Sequence, residues 1–241
     1  MNDLFPAAVL TTGPRSATLP PSAATRSRPA PGSLMRPIRA LPLLLLGLGP
    51  LAAHAEATAY RIDPVHSQVV FNVEHNGFSR SFGRLRVTDG TIRFDRDDWS
   101  KSSVDATIDL SSVDMGDAAW DKAVRGSALL DSDRAKTARY VSESVEKKND
   151  AEGVVHGKLT LRGVTLPLDL PFRVNRVGTT IYGMHTVAGF SSSVILDRTR
   201  YGMTSNANSI GNDVTVWLEI EAIRGDAATT SEKDNTHAPA Q

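Results

Sequence analysis

Cysteine is absent from this 241-residue sequence. Disulfide bridges, cysteine-ligated metal centres and thiol nucleophiles are therefore all excluded. An excess of one charge is also missing, because 27 Lys and Arg residues balance 27 Asp and Glu residues. Binding to nucleic acid needs clustered Lys and Arg on a basic surface, so this chain is a poor candidate for it.

Long hydrophobic runs are scarce, and the main one lies near the N-terminus. A basic segment at 35–39 precedes an apolar run at 40–51, and Ala53-His54-Ala55 matches the small-x-small pattern of a cleavage site. This order is typical of a secretory signal peptide at 35–55, and the run is too short for a transmembrane helix. We expect cleavage after Ala55 and a periplasmic location, the alternative being an uncleaved membrane anchor.

The segment 1–34 does not fit a signal peptide, whose positive region should stand at the N-terminus. It is rich in Pro, Ala, Ser and Thr without periodicity, which is typical of disordered or untranslated sequence. We predict that translation begins at Met35. The mature chain then has 241 − 55 = 186 residues, with 27 − 5 = 22 basic and 27 − 1 = 26 acidic side chains, a net charge of −4. Polar residues 225–241 are predicted to be a disordered tail, which leaves one domain at 56–224.

Apolar and polar residues alternate after residue 60, which is the period of a β-strand. Val69, Phe71 and Val73 share one face, and His75 continues it. Similar rows separated by turn signals predict eight to ten antiparallel strands, each with one apolar face. Pro167 and Pro171 interrupt one long row, which favours a bend or a sheet edge there. The further rows lie at 84–88, 91–95, 103–110, 140–145, 158–162, 164–174, 180–186, 189–196 and 214–221.

One segment, Gly116 to Leu130, breaks this rhythm. It places Trp120, Ala123 and Val124 at helical spacing, which predicts a short helix acting as a lid or plug. The alternative is a surface crossover with Trp120 tucked into the core.

Strands with one apolar face can form a sandwich or a barrel closed on itself. An eight-stranded barrel has room for packed side chains or for one small ligand. An outer-membrane barrel would direct its apolar rows outward. The short strands, the helix and the lack of a terminal aromatic on the last strand argue against that version.

The exact residues of several segments are as informative as their alternation. I-D-P-V-H-S at 62–67, V-x-F-x-V-x-H at 69–75, S-F-G-R-L at 81–85 and D-G-T-I at 89–92 open the domain. L-T-L-R-G-V-T-L-P-L at 159–168, G-F-S-S-S-V-I-L-D-R-T-R-Y-G-M at 189–203 and I-G-N-D-V-T-V-W-L-E-I-E-A at 210–222 follow. Over about 60–223 the chain resembles the YceI-like polyisoprenoid-binding family.

The resemblance implies an all-β fold, an antiparallel eight-stranded lipocalin-like barrel with one short helix. It also implies export to the periplasm and an isoprenoid or similar long-chain lipid as the ligand, with no catalysis, no metal and no cofactor. The family often has a Phe-rich segment where this chain reads Ala128 to Thr137, and Leu129 and Leu130 replace aromatics. We therefore expect the cavity rim and the ligand, more than the fold, to differ from those of the family.

The apolar rows supply the candidate lipid contacts. Burial of a polyprenyl tail contributes roughly 25 cal/mol per Å² of apolar surface, so tight binding needs no specific polar contact. The alternative is that these side chains simply fill a closed core. The candidates for lining are Phe71, Val73, Phe78, Phe82, Ile108, Leu110, Trp120, Val124 and Phe190.

The polar candidates are fewer. The histidines lack the spacing of a metal site, and the serines lie near no nucleophile elbow. His66 suits a turn with local hydrogen bonds, and His156 a solvated face. His75 is the candidate donor to a quinone carbonyl, hydroxyl or phosphate, against a purely structural histidine. Arg198 and Tyr201 could clamp a head group, or Arg198 could pair with a carboxylate at the barrel end.

The sequence therefore predicts an exported protein that sequesters or carries a quinone or polyprenol. Two alternatives stay open: an enzyme acting on such a lipid, and a stress-related structural or interaction protein with a filled core. An enzyme would need a coupled pair of titratable groups inside the cavity. Homodimer formation is left open by the sequence.

Overall fold

The computed structural model describes residues 56–181 and 183–225. The expectations for the extension at 1–34, the signal peptide at 35–55 and the tail after residue 225 lie outside the described residues. The described part contains nine strands and one α-helix. In chain order these are β1 Thr58–Ile62, β2 Gln68–His75, β3 Ser79–Phe94, β4 Ser103–Asp114, α1 Ala118–Arg125, β5 Thr137–Lys147, β6 Glu152–Leu161, β7 Val164–Thr179, β8 Thr186–Asp197 and β9 Ile210–Arg224.

The strands form a closed antiparallel barrel of eight strands. Each strand of the series β3, β2, β9, β8, β7, β6, β5 and β4 pairs with the next, and β4 pairs back with β3. β1 pairs with β3 on one side and with β9 on the other, as β2 does further along the same two strands. β1 therefore continues the position of β2 in the wall. The barrel is thus confirmed and the sandwich alternative is wrong.

The two faces of the wall follow the alternation of the sequence. Along β7, Leu166, Leu168 and Leu170 are half-buried, whereas Pro167 and Pro171 are exposed. Leu168 and Leu170 line the interior, as do the apolar residues of the other rows. The apolar rows therefore point into the barrel.

The two prolines bear on the predicted bend or edge. β7 runs unbroken for 16 residues, so neither proline ends the strand. Its pairing with β8 starts only at Phe172, and the half of β7 that carries Pro167 and Pro171 is paired with β6. Because proline has no N–H to donate, it fits a strand side that has no ladder partner. The predicted edge exists locally, within a strand that is central elsewhere.

One end of the barrel is filled by aromatic rings, and we call it the closed end. Phe94 has its ring centroid 5.5 Å from those of Trp99 and Phe190, and Trp99 lies 5.4 Å from Phe172. Trp99 belongs to a short 3-10 turn between β3 and β4. Phe94 and Trp99 are fully buried, so this cluster anchors the core at the closed end.

The opposite end carries α1, and we call it the mouth. Asp117 caps the helix by accepting N–H groups of Ala119 and Trp120, and Asp121 accepts the N–H of Met115. The predicted short helix is confirmed, within a narrower range. Trp120 is 43% exposed, so the alternative with a core tryptophan is wrong. No helix within 56–181 and 183–225 has the length and apolar content needed to cross a membrane.

Replacing Phe94 with Ala tests the role of the aromatic cluster. We expect a loss of about 3–5 kcal/mol in the free energy of unfolding, because a cavity opens among buried rings. Urea titration followed by circular dichroism measures it. Ile181→Ala, at a position that is 83% exposed, is the matched control and should change stability by less than about 0.5 kcal/mol. Equal effects of the two changes would contradict this assignment.

Candidate functional site

The barrel encloses a cavity of about 580 Å³ beneath the mouth. This volume falls in the range of about 300–1,000 Å³ found for small-molecule sites. Nine of the predicted contact residues line it: Phe71, Val73, His75, Ile108, Leu110, Trp120, Val124, Arg198 and Tyr201. The interior near the mouth is therefore not a filled core.

Two predicted lining residues lie outside the cavity. Phe82 faces outward and stacks on Trp217, with ring centroids 6.2 Å apart. Its neighbours Ser81 and Leu85 line the cavity, so the alternation of the strand places Phe82 on the other face. Phe78 lies in the turn before β3 and is 93% exposed. The expectation that these two rings line the barrel is corrected.

Phe190 lies deeper than expected. It lines a second cavity of about 130 Å³ toward the closed end, together with Phe94 and Phe172. Five side chains line both cavities and form a constriction between them: Val69, Ile108, Tyr140, Leu170 and Leu218. A long tail that enters from the mouth would meet this constriction before the closed end.

Tyr140 is the polar member of the constriction and was missed by the sequence reasoning. Its hydroxyl lies 3.0 Å from the carbonyl oxygens of Val155 and Leu168, to either of which it can donate. Burial raises the pKa of the Tyr140 phenol, so the group stays neutral at physiological pH. Its position in the apolar row of β5, between Ala138 and Ser142, was the available signal.

The apolar rows of β7 and β8 supply further lining residues that were not singled out. Leu168 and Leu170 face the cavity from β7, and Val194 and Leu196 face it from β8. These strands are not paired with each other at that level, since their ladder begins at Phe172 and Ser192. Aliphatic side chains, rather than a backbone ladder, therefore form this part of the wall.

Arg198 is the cation of the cavity lining and is only 3% exposed. Its Nε and Nη2 donate to the carbonyl oxygens of Gly211 and Ile210, each at 2.8 Å. Its Nη1 donates to the carbonyl oxygens of Ser205, at 3.0 Å, and Met203. The alternative of an Arg–carboxylate pair is therefore wrong, since the acceptors are backbone carbonyls.

The position of Arg198 follows from the local fold. Asp197 caps a 3-10 turn over Arg198–Tyr201 by accepting the N–H of Thr199 at 2.9 Å. Gly202 ends the turn with φ +79°, a conformation that glycine adopts without strain. Burial lowers the pKa of Arg198, although the group remains charged at any physiological pH. A buried positive charge whose hydrogen bonds go to carbonyl oxygens gives this side of the cavity a positive potential, which the neighbouring Asp197 carboxylate reduces.

His75 and Trp120 meet at the mouth. Their ring centroids are 5.3 Å apart, and the His75 Nε2 lies 3.1 Å from the Nδ2 of Asn76. His75 ends the inward row of β2, as predicted, and lines the cavity. The segment after α1 also reaches this region, because Ala128, Leu129 and Leu130 line the cavity.

The other histidines of the described residues, His66, His156 and His185, do not line the cavity. His66 Nδ1 lies 2.6 Å from Asp63 Oδ2 within a turn, which agrees with the local hydrogen bond expected there. His156 Nδ1 lies 2.9 Å from Asp169 Oδ1 on the outer wall. In both cases the hydrogen-bonded carboxylate raises the histidine pKa. Among the described residues, no group of three or more His, Asp or Glu side chains is arranged to hold a metal ion.

Comparisons of the sequence give a consistent family. A model described as a YceI-like domain matches residues 60–222. A UPF0312 protein of Serratia proteamaculans (strain 568) is 33% identical over 175 residues, which cover 72% of this chain and 90% of that protein. A UPF0312 protein of Pseudomonas aeruginosa (strain LESB58) is 31% identical over 175 residues, 72% of this chain and 91% of that protein.

Solved structures show the same fold. BcnA of Burkholderia cenocepacia superposes with a TM-score of 0.61 at 20% identity, over 67% of this chain and 99% of that one. A polyisoprenoid binding domain from Saccharophagus degradans, implicated in plant cell wall breakdown, gives a TM-score of 0.54 at 17% identity. That match covers 70% of this chain and 99% of the other. At these identities the two structures support the barrel and leave the ligand to separate evidence.

Arg198→Lys tests how the mouth is held. Lysine cannot reproduce a planar fork that reaches four carbonyls, so we expect the free energy of unfolding to fall by about 2–4 kcal/mol. Amides of residues 203–211 should also exchange faster with solvent, which hydrogen-exchange mass spectrometry measures. Arg200→Lys is the control, because Arg200 is exposed on the same turn. If both variants matched the unaltered protein, the carbonyl contacts of Arg198 would not organise this segment.

Proposed function

Because the chain belongs to the YceI-like family, we propose that it is an exported protein that binds a long-chain isoprenoid lipid, a quinone or a polyprenol, in its barrel. The observation that carries this proposal is the apolar cavity of about 580 Å³, which the side chains of residues 56–181 and 183–225 leave unfilled. The name of the Saccharophagus domain supports the same class of ligand.

The affinity in this proposal comes from burial of the tail. Each 100 Å² of apolar tail surface removed from water contributes about 2.5 kcal/mol. The lining consists mainly of Leu, Val, Ile, Phe and Met side chains. These side chains cannot replace the hydrogen bonds that a polar ligand makes with water. An isoprenoid tail matches this lining, whereas a polar metabolite would lose its hydration without compensation.

The head group in this proposal stays near Arg198 and His75. The positive potential of Arg198 favours an oxygen with partial negative charge, as in a quinone carbonyl or a hydroxyl, or an anionic phosphate oxygen. His75 lies at the mouth, where its ring can donate to the same oxygen. Tyr201, buried beside them in the lining, limits the space available to the head group.

The lining also favours binding over catalysis. Its titratable side chains, within the described residues, are His75, Tyr140, Arg198 and Tyr201, and no carboxylate is among them. A coupled acid and base inside the cavity was the feature that would favour an enzyme. The unfilled interior likewise favours a carrier over a structural protein with a filled core.

A pair of neighbouring substitutions tests the cavity as the lipid site. Val194 faces the cavity and Ile195 faces solvent, with 63% of its surface exposed. We expect Val194→Trp to fill part of the cavity and to reduce bound lipid at least tenfold, while Ile195→Trp leaves it unchanged. The measurement is organic extraction and mass spectrometry of protein purified from the periplasmic fraction of its native host. If the unaltered protein carried no isoprenoid, the proposal would be overturned.

The proposed export is tested on the native protein. The pattern at 35–55 predicts a mature chain that starts at Glu56. Intact-mass measurement and N-terminal sequencing of the periplasmic protein should find that residue first. Recovery of residues 1–34 in the precursor would show that translation begins upstream of Met35.

A further inference from the structure

Two aromatic side chains are exposed at the mouth, beside the entrance to the cavity. Phe78 is 93% exposed and Trp120 is 43% exposed. Both flank His75: Phe78 follows it in the β2–β3 turn, and the Trp120 ring lies 5.3 Å from the His75 ring. A large aromatic side chain that contacts only water is unfavourable unless another apolar surface covers it.

The exposure of Phe78 is built into its turn. His75 pairs with Ser79, so the hairpin loop consists of Asn76, Gly77 and Phe78. Asn76 and Gly77 have positive φ of +54° and +70°, which Asn and Gly adopt more readily than other residues. The N–H of Phe78 donates to the carbonyl of His75 at 3.1 Å, and the N–H of Asn76 to that of Ser209 at 2.8 Å. These bonds fix the backbone, so the Phe78 ring is presented outward by an ordered hairpin.

Trp120 joins the outer apolar surface to the cavity. It lines the cavity and is also exposed at the mouth. Ala123 and Val124 continue its surface inward along α1. An apolar tail that leaves the cavity past α1 therefore meets Trp120, beside the hairpin that presents Phe78.

The basic side chains of α1 suit contact with phosphate groups. Asp117 and Asp121 balance the two bases in number, and both acids accept backbone N–H groups at the N-terminal end of the helix. Lys122 and Arg125 lie in the last turn, and in the described part of the chain no ion pair or hydrogen bond engages either side chain. Helices with aromatic and basic side chains at a rim bind at the membrane interface, where the ring enters the acyl boundary and the cation meets phosphate.

We propose that the mouth is a membrane-docking face, in which Phe78 and Trp120 enter the surface of a phospholipid bilayer while Lys122 and Arg125 contact lipid phosphates. This inference rests on the proposed function, because it names the partner that delivers and receives the lipid. Docking in this orientation lets the tail move between bilayer and cavity without crossing water. The bilayer is the occupant that fits, since the two exposed rings lie beside the opening through which an apolar tail must pass.

The opposite end supplies a matched comparison. Ile181 and Met184 lie in the β7–β8 turn and are 83% and 78% exposed. They are as apolar and as accessible as the residues at the mouth, but they line neither cavity. Non-specific hydrophobic adsorption to a membrane would involve both ends of the barrel equally, whereas docking for lipid transfer involves the mouth alone.

Flotation with vesicles of phosphatidylethanolamine and phosphatidylglycerol tests the proposal. Phe78→Ser should lower the vesicle partition coefficient roughly tenfold, because the ring supplies much of the apolar contact. Ile181→Ser should leave the coefficient unchanged. Equal flotation of the unaltered protein and Phe78→Ser overturns the proposal. The proposal is also overturned if the unaltered protein does not bind vesicles but forms a Phe78-dependent complex with another protein.

Loading from detergent separates this inference from the function on which it rests. Polyprenol presented in detergent micelles should enter the unaltered protein and Phe78→Ser equally, since Phe78 lies outside the cavity. Extraction and mass spectrometry measure the occupancy. If neither protein takes up polyprenol or quinone, the proposed function fails, and flotation still decides whether the mouth docks.

Tryptophan quenching reports which end meets the bilayer. Trp99 is buried at the closed end, and Trp217 lies on the outer wall, so a Trp217→Phe protein makes Trp120 the accessible reporter. Vesicles that contain brominated phospholipid should quench this protein, and Phe78→Ser in the same background should abolish most of the quenching. Flotation without quenching would place another surface against the membrane and overturn the proposal.

Discussion

Pairing of β3 with β4 is the constraint on which the rest of the molecule depends. This ladder joins the two ends of the strand series, so every strand acquires a partner and the sheet acquires an inside. The ladder needs close approach at Gly90, where a Cβ would lie 2.5 Å from the Ile62 side chain and 3.0 Å from the Asp105 carbonyl. A glycine at that point lets β3 pass between β1 and β4. Once the barrel is closed, the alternation of each strand separates an apolar interior from a charged exterior.

The distribution of side-chain size along the axis then decides where space remains. Aromatic rings from Phe94, Trp99, Phe172 and Phe190 meet at the closed end and leave only the smaller cavity of about 130 Å³. Toward the mouth the inward rows carry mainly Leu and Val, which are too short to meet across an eight-stranded barrel. The larger cavity is thus a consequence of composition along each row, and its apolar character selects an apolar ligand.

The alternation in the sequence predicted the strands and most of the lining, because period and face are local properties. It left a sandwich and a barrel equally open, and the family resemblance pointed to the barrel, while helical spacing predicted the short helix. Phe82 obeys the same alternation but lies on the outer face. Because Leu85 faces inward, Ser81 shares its face four residues earlier and Phe82 does not. Phe190 was assigned to the correct face but to the wrong depth, since depth depends on the stagger between strands. Two carbonyl partners of Arg198, those of Met203 and Ser205, lie in the irregular segment before β9, which no periodicity describes. The other two belong to the first residues of β9. Pro167 suggested an edge that exists only because β8 pairs with half of β7, a property of the closed sheet.

The mouth combines a rigid side with a less supported one. On the rigid side, Arg198 holds four carbonyls and the Asn76 N–H donates to Ser209, so the β2–β3 hairpin and the 198–211 segment brace each other. On the other side, α1 has no buried residue, and the segment after it contributes Leu129 and Leu130 to the rim. Leu130 packs in the core near the mouth and Ser132 is buried, so the segment after α1 is anchored, whereas α1 itself has no buried residue. Substitutions on the exposed face of α1 therefore lose few buried contacts. The barrel fixes the environment of the tail, whereas the exposed face of α1 can change what passes the mouth without loss of the core.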